Sequence, residues 1–552
     1  MINTRMKRKP SATTRRVLAL SALSACLLAA AGQAAAQTVP STLQNDAQRL
    51  QRYYEQQQTQ PKKPTDPLDD KAAKSSSSKT PTAAGGPGFV LKRVDFTTSA
   101  LLSAQALQDA VKPYLGRMLH KSDLDAMLDR VNNLYRARHI TTARAILPNQ
   151  SIQDGVVRIE LVEGRLGKIT VVGDKHVRKD FILRRVDQKP GQIVDSDQLR
   201  KNLVYLNETT DLEVRALLAP GAERGQTDIH LAVQEPDRHD LVAFVDNGGV
   251  DSTGRYRFGL QGHIYGLFGV DDLLEGNIAH AKGGNDGAIS YSVPLFVNNG
   301  RLGVSLAHSQ INILDRAFRD LNITGTSTVK SVNYKQPFIA TLQTQLSGVA
   351  AYTISDSVTR IGGKQIAHTT NHSATVGLSI DHSSDGRRWN ITQLVTRLDS
   401  DEPMLGKSHF NLTPGSAFLI QRLGKSHWAL RANAGWQFSS GTNLPSANLF
   451  QIGGPGSVRG YERGVLAGPR GYYVDLELHR AFSEKLDLFV FADHGEVRAN
   501  YPNASSISGA GLGGMYRYRW LTASADVAKP FDTVTPQQDS VRFDFRLSVD
   551  FD

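Results

Sequence analysis

From His239 to the end of the 552-residue chain, apolar and polar residues alternate in segments of roughly ten residues. The last segment shows the alternation without interruption. Its apolar positions are Val541, Phe543, Phe545, Leu547, Val549 and Phe551, and its polar positions are Arg542, Asp544, Arg546, Ser548 and Asp550. A period of two places these sets on opposite faces of a β-strand. A soluble antiparallel sheet alternates in the same way, but about 16 such segments in succession predict a transmembrane antiparallel β-barrel of 16 strands over residues 237–552.

Residues 89–236 show a different pattern, which predicts two copies of one small α/β unit. Each copy, 89–163 and 164–236, has the order β-α-α-β-β. In the first copy the second helix is expected to begin at Ser122, whose hydroxyl can cap it, with Asp125 at the capping-box position.

Residues 1–36 are predicted to be a signal peptide. A basic segment precedes the apolar residues 17–30, and the small residues Ala34, Ala35 and Ala36 mark the cleavage site. The alternative is a lipoprotein signal with Cys26 as the lipidated residue, but apolar residues continue past Cys26. Cleavage after Ala36 would remove the single cysteine and leave a mature chain without disulfides.

Residues 37–58 are predicted to form a plug helix, most of it over 41–58. One face at helical spacing carries Leu43, Ala47, Leu50 and Tyr54. A helix so polar elsewhere would be marginal alone, so it is expected to dock in a polar cavity or to fray. Residues 59–88 follow as a flexible linker rich in proline, serine and glycine.

The charge of the chain excludes some classes of protein. Loss of the six basic residues of the signal peptide lowers the net charge from +11 to +5, which is too little to indicate a nucleic-acid partner. After the signal peptide no run of about 18 apolar residues occurs, so a transmembrane helix is not predicted. A closed barrel is the other way to satisfy every backbone group in lipid.

Sequence motifs for catalysis or cofactor binding are incomplete. Residues 405–408 and 423–426 resemble the end of a phosphate loop, but Asp401 and Leu419 stand where its first glycine belongs. Ser457 lacks the glycine that a nucleophile elbow requires two residues before it. The histidines are scattered without metal-ligand spacing. The sequence therefore predicts no enzyme, no metal site and no cofactor.

The remaining feature is Arg459, which follows the glycine-rich residues 453–457 in a loop predicted to fold into the barrel over about 441–470. Strand phasing places four carboxylates on the lumen face of the next two strands: Asp475, Glu477, Asp487 and Asp493. A guanidinium binds a carboxylate bidentately, which fixes direction as well as energy. The alternative is an exposed arginine in an external loop.

These residues resemble a known family. The tetrapeptide Val458, Arg459, Gly460 and Tyr461 is similar to the loop motif of the Omp85 superfamily. Phe491, Asp493 and Gly495 are similar to the strand motif whose aspartate pairs with that arginine. Residues 246–249 with 254–256 resemble the first barrel strand of two-partner secretion transporters (the TpsB family), the exporters of filamentous haemagglutinin and haemolysin. The resemblance implies that Arg459 pairs with Asp493, that the α/β units are POTRA domains and that the plug helix occupies the pore at rest.

The resemblance also implies a function. It predicts an outer-membrane pore, with POTRA domains in the periplasm, that exports a large partner protein recognised through its N-terminal secretion domain. Other expected contacts are outer-membrane lipid and, during biogenesis, the barrel-assembly machinery and periplasmic chaperones, but not nucleic acid. A barrel-assembly insertase of the same superfamily is the main alternative, and an adhesin or enzyme barrel is the other. One departure is that Asp552 follows Phe551, whereas family members usually end on an aromatic residue.

Overall fold

A computed structural model describes residues 65–69, 88–138, 140, 142–223, 225–314, 319–402, 406–498 and 505–551. The predicted signal peptide, the predicted plug helix with its face Leu43, Ala47, Leu50 and Tyr54, and Asp552 lie outside the described residues. Within them the chain forms a short strand, two small α/β domains and a closed barrel. No helix in these described ranges is long and apolar enough to cross a membrane.

The first α/β domain contains two helices packed on a three-stranded sheet. After the isolated strand β1 (Leu68–Asp69), its elements are β2 (Phe89–Val90), β3 (Arg93–Phe96), α1 (Ala104–Val111), β4 (Met118–Leu119), α2 (Lys121–Ala137), β5 (Ala143–Ile146) and β6 (Val156–Glu163). The sheet order is β3-β6-β5, with β3 and β6 parallel. Helix α2 begins earlier than Ser122, because the His120 backbone N–H donates to the Asp123 carboxylate (2.8 Å). Asp123 thus holds the capping-box position expected for Asp125.

The second α/β domain repeats this order as β7 (Arg165–Val172), α3 (Lys179–Val186), α4 (Ser196–Thr209), β8 (Glu213–Pro220) and β9 (Gln226–Gln234). Its sheet has the order β1-β8-β9-β7, so β1 joins this domain rather than the one that follows it in sequence. Leu68 of β1 is 5 % exposed and packs into the core of the domain. Residues 65–69 therefore differ from the flexible linker that the sequence predicts.

Sixteen antiparallel strands form the barrel, and a small hairpin lies in one of its loops. In chain order the barrel strands are β10 (His239–Asp246), β11 (Arg257–Tyr265), β12 (Leu273–Ala281), β13 (Gly284–Leu295), β14 (Gly300–Asn312), β15 (Ile323–Ala340), β16 (Thr344–Ile361), β17 (Lys364–Ser384), β18 (Arg387–Glu402), β19 (Gly406–Arg422), β20 (Trp428–Ser439), β23 (Arg470–Ala481), β24 (Leu486–Arg498), β25 (Ser505–Tyr518), β26 (Leu521–Pro530) and β27 (Arg542–Asp550). The hairpin strands β21 (Phe450–Ile452) and β22 (Leu466–Gly468) lie between β20 and β23. Pairing of β10 with β27 closes the barrel, which confirms the predicted 16-stranded fold.

The alternation along β27 separates a lipid face from a lumen face. Phe543 and Leu547 point outward and are 50 % and 38 % exposed, whereas Arg542, Asp544 and Arg546 are buried inside. A transmembrane β-strand needs about 9–11 residues. Strands β10 to β12 have 8 or 9 residues, but β17 has 21. The wall of the barrel is therefore much taller on one side.

The second α/β domain is fixed against one rim of the barrel. Arg301 at the start of β14 donates to Asp271 (2.6 Å), which also accepts a hydrogen bond from the backbone N–H of Asp211 in the α/β domain (3.0 Å). The Tyr205 hydroxyl of α4 donates to the carbonyls of Asn298 (2.7 Å) and Pro337 (3.1 Å) in the barrel. These contacts lie at the end of the barrel where the chain enters β10. They fix the orientation of the barrel relative to the second α/β domain.

Candidate functional site

The segment between β20 and β23 folds into the barrel lumen instead of standing outside it. Strands β21 and β22 pair within this segment and bring its two arms together. Between them Gly453, Gly454 and Gly460 have φ values of 113°, 85° and 95°, in the left-handed region that glycine tolerates. At Gly454 an added Cβ would lie 2.9 Å from the Cα of Arg463. The glycines predicted from sequence thus allow a tight turn that larger residues would strain.

Arg459 lies at the tip of this turn and is 1 % exposed. Its Nε and Nη2 atoms donate to the two carboxylate oxygens of Asp493, at 2.8 and 2.7 Å. The backbone N–H of Arg459 donates to the same carboxylate (2.9 Å). The guanidinium carbon lies 3.5 Å from the ring centroid of Phe491 on the same strand, β24. Asp493 therefore fixes both the side chain and the main chain of the loop, with a planar aromatic ring beneath the ion pair.

A second carboxylate, Glu477 of β23, accepts a hydrogen bond from Nη1 of Arg459. Glu477 also contacts the imidazole of His479 (2.8 Å), whose other ring nitrogen lies 2.9 Å from the carboxylate of Asp487. Asp475 accepts a hydrogen bond from the amide of Asn433 (2.8 Å). All four predicted carboxylates face the lumen, but Asp487 is bound to histidine and the bidentate contact belongs to Asp493.

The wall of the barrel leaves room for the loop where the wall itself carries glycine. A Cβ at Gly495 would lie 3.1 Å from Val458, and one at Gly509 would lie 2.3 Å from the carbonyl oxygen of Arg459. Val458 is fully buried in a small apolar cluster that the loop shares with β24 and β25: Phe450, Ile452, Tyr461, Val497 and Ile507. The two wall glycines and this cluster set the distance between loop and wall.

Tyr461 attaches the loop to the end of the wall that lies away from the α/β domains. Its hydroxyl donates to the carbonyl of Ser508 (2.7 Å) and accepts from the backbone N–H groups of Asp532 (3.0 Å) and Phe531 (3.2 Å). A single phenol thus satisfies groups on β25 and on the connection between β26 and β27. Every residue of the predicted loop motif therefore has a defined place against the wall.

Two further contacts of the loop were not predicted from sequence. Near its start, Leu444 packs on Leu398 and Leu412, and Asn448 accepts a hydrogen bond from Asn371 (3.1 Å). Near its end, Arg463 donates to the Gly248 carbonyl (2.7 Å), and Glu462 accepts from the Asp251 backbone N–H (3.0 Å). The apolar Leu444 in a polar loop and the second arginine were the available signals. The loop crosses the lumen from β17–β19 to the closure of the barrel.

The pairing of β10 with β27, which closes the barrel beside the Arg463–Gly248 contact, has its own ion pairs. Strands β10 and β27 pair at five positions, from Val242↔Asp550 to Asp246↔Arg546. Asp246 accepts two hydrogen bonds from Arg257, each at 2.9 Å, and one from Arg546 at 3.3 Å. Asn247 extends the pairing because its side chain bonds the main chain of Phe543 and Phe545, each at 2.7 Å. Side chains thus supplement a short backbone ladder.

The sequence model of the haemolysin secretion/activation proteins ShlB/FhaC/HecB matches residues 225–516, more than half of the chain. The chain belongs to this family. The ShlB-type POTRA domain matches residues 89–164, which covers the first α/β domain. As a member of the ShlB/FhaC/HecB family, the chain is an outer-membrane transporter of two-partner secretion, with its POTRA domains in the periplasm. This confirms the recognition and the location predicted from sequence.

Curated relatives of this family member span nearly the whole chain. The heme/hemopexin transporter protein HuxB of Haemophilus influenzae (strain 86-028NP) is 26 % identical over 550 residues, which cover 91 % of this chain and 94 % of HuxB. The outer membrane transporter CdiB of Dickeya dadantii (strain 3937) is 24 % identical and covers 86 % of this chain and 88 % of its own length. Both are transporters by name, in agreement with the family.

Two solved structures show the same fold. CdiB from Escherichia coli superposes with a TM-score of 0.66 at 18 % identity, covering 93 % of this chain and 98 % of that one. BamA from Haemophilus ducreyi lacking POTRA domains 1–3 gives a TM-score of 0.51 at 16 % identity, covering 84 % of this chain and all of that one.

Proposed function

We propose that this transporter is a protein-conducting pore that exports one large partner protein across the outer membrane, and that its lumen loop is a conformational latch. The observation that supports this proposal is the loop itself, which crosses the barrel and is anchored by a buried ion pair. A barrel of 16 strands encloses an aqueous channel. We propose that export needs both positions of the loop: the docked position holds the pore ready for the partner, and release and renewed docking accompany passage of the polypeptide.

The Arg459–Asp493 pair suits a loop that docks and is released better than a loop that is fixed in place permanently. Burial of two charges costs several kcal/mol, and their mutual attraction in good geometry about offsets this cost. The pair therefore fixes where the loop sits without adding much net stability. Loss of one partner leaves the other charge buried and uncompensated. The docked loop, with both charges paired, therefore differs sharply in energy from a loop that has left one charge buried and unpaired. A latch needs two such distinct states.

The partner is proposed to be an adhesin, a haemolysin or a contact-dependent toxin, recognised by its N-terminal secretion domain. The relatives carry the names heme/hemopexin transporter and outer membrane transporter CdiB. An extended segment of the partner would add a strand to a POTRA sheet edge in the periplasm. Folding of the partner outside the cell would drive export, because the sequence lacks a complete nucleotide-binding motif.

The proposal includes no catalytic activity, metal or cofactor. In the described part of the chain no group of three or more His, Cys, Asp or Glu side chains could hold a metal ion. The outward apolar faces of the strands are the surface that contacts lipid. Barrel-assembly machinery and periplasmic chaperones are proposed as partners during biogenesis only, and nucleic acid is not a partner.

Deletion of residues 89–236 tests the proposed function. The barrel is expected to insert, measured as heat-modifiable mobility of outer-membrane fractions, while the proposed partner protein no longer reaches the medium. Normal export by the deletion variant would contradict the proposal. A general loss of other outer-membrane proteins would favour the insertase alternative, and retained cell adhesion would favour an adhesin barrel.

The predicted plug helix yields a separate prediction. Deletion of residues 41–58 is expected to raise ion conductance through the barrel in planar bilayers several-fold, because the proposal places this segment in the pore at rest. Replacement of residues 70–87 by an equally long glycine–serine sequence is the control and should leave conductance at the wild-type level. Unchanged conductance after loss of 41–58 would exclude a plug in this segment.

A further inference from the structure

A strand from outside the second α/β domain occupies one edge of its sheet. β1 pairs in parallel with β8, with Leu68 opposite Ala216 and Asp69 opposite Leu217. The Ala216 backbone N–H donates to the carbonyl of Pro67 (2.8 Å). The ladder therefore contains two residues and forms an attachment that the domain can lose without losing its own strand order, β8-β9-β7.

Side chains make this attachment selective. Leu68 is buried with the core residues of the domain, including Ala216 and Leu203. Two positions earlier, both carboxylate oxygens of Asp66 accept hydrogen bonds from Nε of Arg200 on α4, at 3.0 and 3.2 Å. The same carboxylate accepts the Leu68 backbone N–H (3.0 Å). The edge thus reads an acidic residue followed, two positions later, by an apolar residue.

A sheet edge with free backbone groups is a template for another extended chain. The β7 edge of this sheet is partly closed, because residues Gly164 and Leu166 exchange backbone hydrogen bonds with Gly191, Gln192 and Val194. Among the residues that the structure describes, the segment 66–69 covers the β8 edge. An incoming strand can reach it only by replacing that segment.

We propose that the β8 edge of the second POTRA domain is a docking site for an extended segment of the exported partner, and that residues 66–69 occupy this site until the partner displaces them. The proposal rests on the proposed export function. It specifies the chemistry of the segment: a β-strand with Asp or Glu two positions before a buried aliphatic residue. Arg200 reads the acid, and the apolar core beneath Ala216 receives the aliphatic side chain.

A synthetic peptide of residues 62–72 serves as the probe, titrated against the full-length transporter in detergent. Leu68→Asp is expected to free the edge, so the peptide should bind this variant at least about tenfold more tightly than wild type, whose own strand competes intramolecularly. Adding Arg200→Ala to the Leu68→Asp variant should weaken the binding of the peptide again. Equal affinity for wild type and Leu68→Asp, or equal binding of a peptide that carries the same substitution, would overturn the proposal.

A disulfide that locks β1 onto the edge tests displacement during export. Asp69 and Leu217 are directly opposite each other, and strands in a sheet lie about 4.8 Å apart, within the range that a disulfide spans. Asp69→Cys with Leu217→Cys should reduce export at least about tenfold when the two cysteines are oxidised, because the disulfide holds β1 on the β8 edge. A reductant should restore export. Each single cysteine variant is the control.

The outcomes separate this proposal from the function on which it rests. Full export by the oxidised double variant would overturn the docking site while leaving the pore intact. Failure of the wild-type chain to export any partner would overturn the proposed function itself. Loss of export in the oxidised double variant with recovery after reduction supports both.

Discussion

Replacing Arg459 with alanine is expected to abolish export while leaving the barrel folded in the outer membrane. The substitution removes the cation from two buried carboxylates, those of Asp493 and Glu477. Breaking a buried pair in this way costs about 3–5 kcal/mol. Each 1.4 kcal/mol corresponds to about a factor of ten, so the docked position of the loop should lose at least about two orders of magnitude in occupancy. The sixteen strands keep their ladders, and insertion should persist.

Secreted partner in the medium, measured against heat-modifiable barrel in the membrane, checks this result. Arg498→Ala is a matched control, because Arg498 lies on the same strand as Asp493 but its side chain is 70 % exposed and pairs with Glu496. Asp493→Asn should reproduce the loss, and Arg459→Lys should recover little, since lysine cannot bind bidentately. Wild-type export by Arg459→Ala would remove the latch role.

Gly509→Val is expected to block export as strongly, although it changes no charge. Its added Cβ would come 2.3 Å from the carbonyl oxygen of Arg459, a distance that requires the loop to shift away from the wall. Since the contact is with backbone, no side-chain rotation can relieve it. The Arg459–Asp493 pair would then be broken by displacement rather than by deletion. The prediction therefore separates the position of the loop from the chemistry of its arginine.

Gly276→Val is the matched control for this substitution. Gly276 lies on β12, and within 4 Å of its added Cβ only the Ala288 carbonyl is found, at 3.8 Å. Export by Gly276→Val should equal wild type. Susceptibility of the loop to protease added outside the cell gives an independent readout, and should rise in Gly509→Val. Unchanged cleavage together with normal export would show that the wall tolerates the extra volume.

The barrel could be predicted from sequence because the lipid and the lumen impose opposite polarity on alternate residues, as in Phe543 and Asp544. The four lumen carboxylates followed from the same phase. The choice among them did not, because it depends on how far the loop reaches: Asp493 and Glu477 lie at the guanidinium, and Asp487 lies beside His479. Strand phase gives a face, and tertiary contact gives the partner.

Features without periodicity could not be read in advance. The strand at Leu68 lies in a segment of linker composition, and its two-residue ladder is too short to produce an alternating pattern. The contact of Arg463 with Gly248 joins residues far apart in sequence through a loop of irregular backbone. The start of α2 differs from the prediction because Ser122, a residue type that suits an N-cap, lies inside the helix, and Asp123 bonds the backbone N–H of the cap residue His120 instead.

The unequal strand lengths give the mouth of the barrel an oblique rim. A 21-residue strand such as β17 is about 69 Å long and, tilted by about 45°, rises about 50 Å, twice the roughly 25 Å apolar band of such barrels. Its outward residues turn polar towards the extracellular end, where His368 contacts Asp356 on the neighbouring strand (2.8 Å). The short strands β10 and β27 stand opposite. An emerging chain would therefore meet the tall wall at β17 on one side and open solvent above the short strands β10 and β27 on the other.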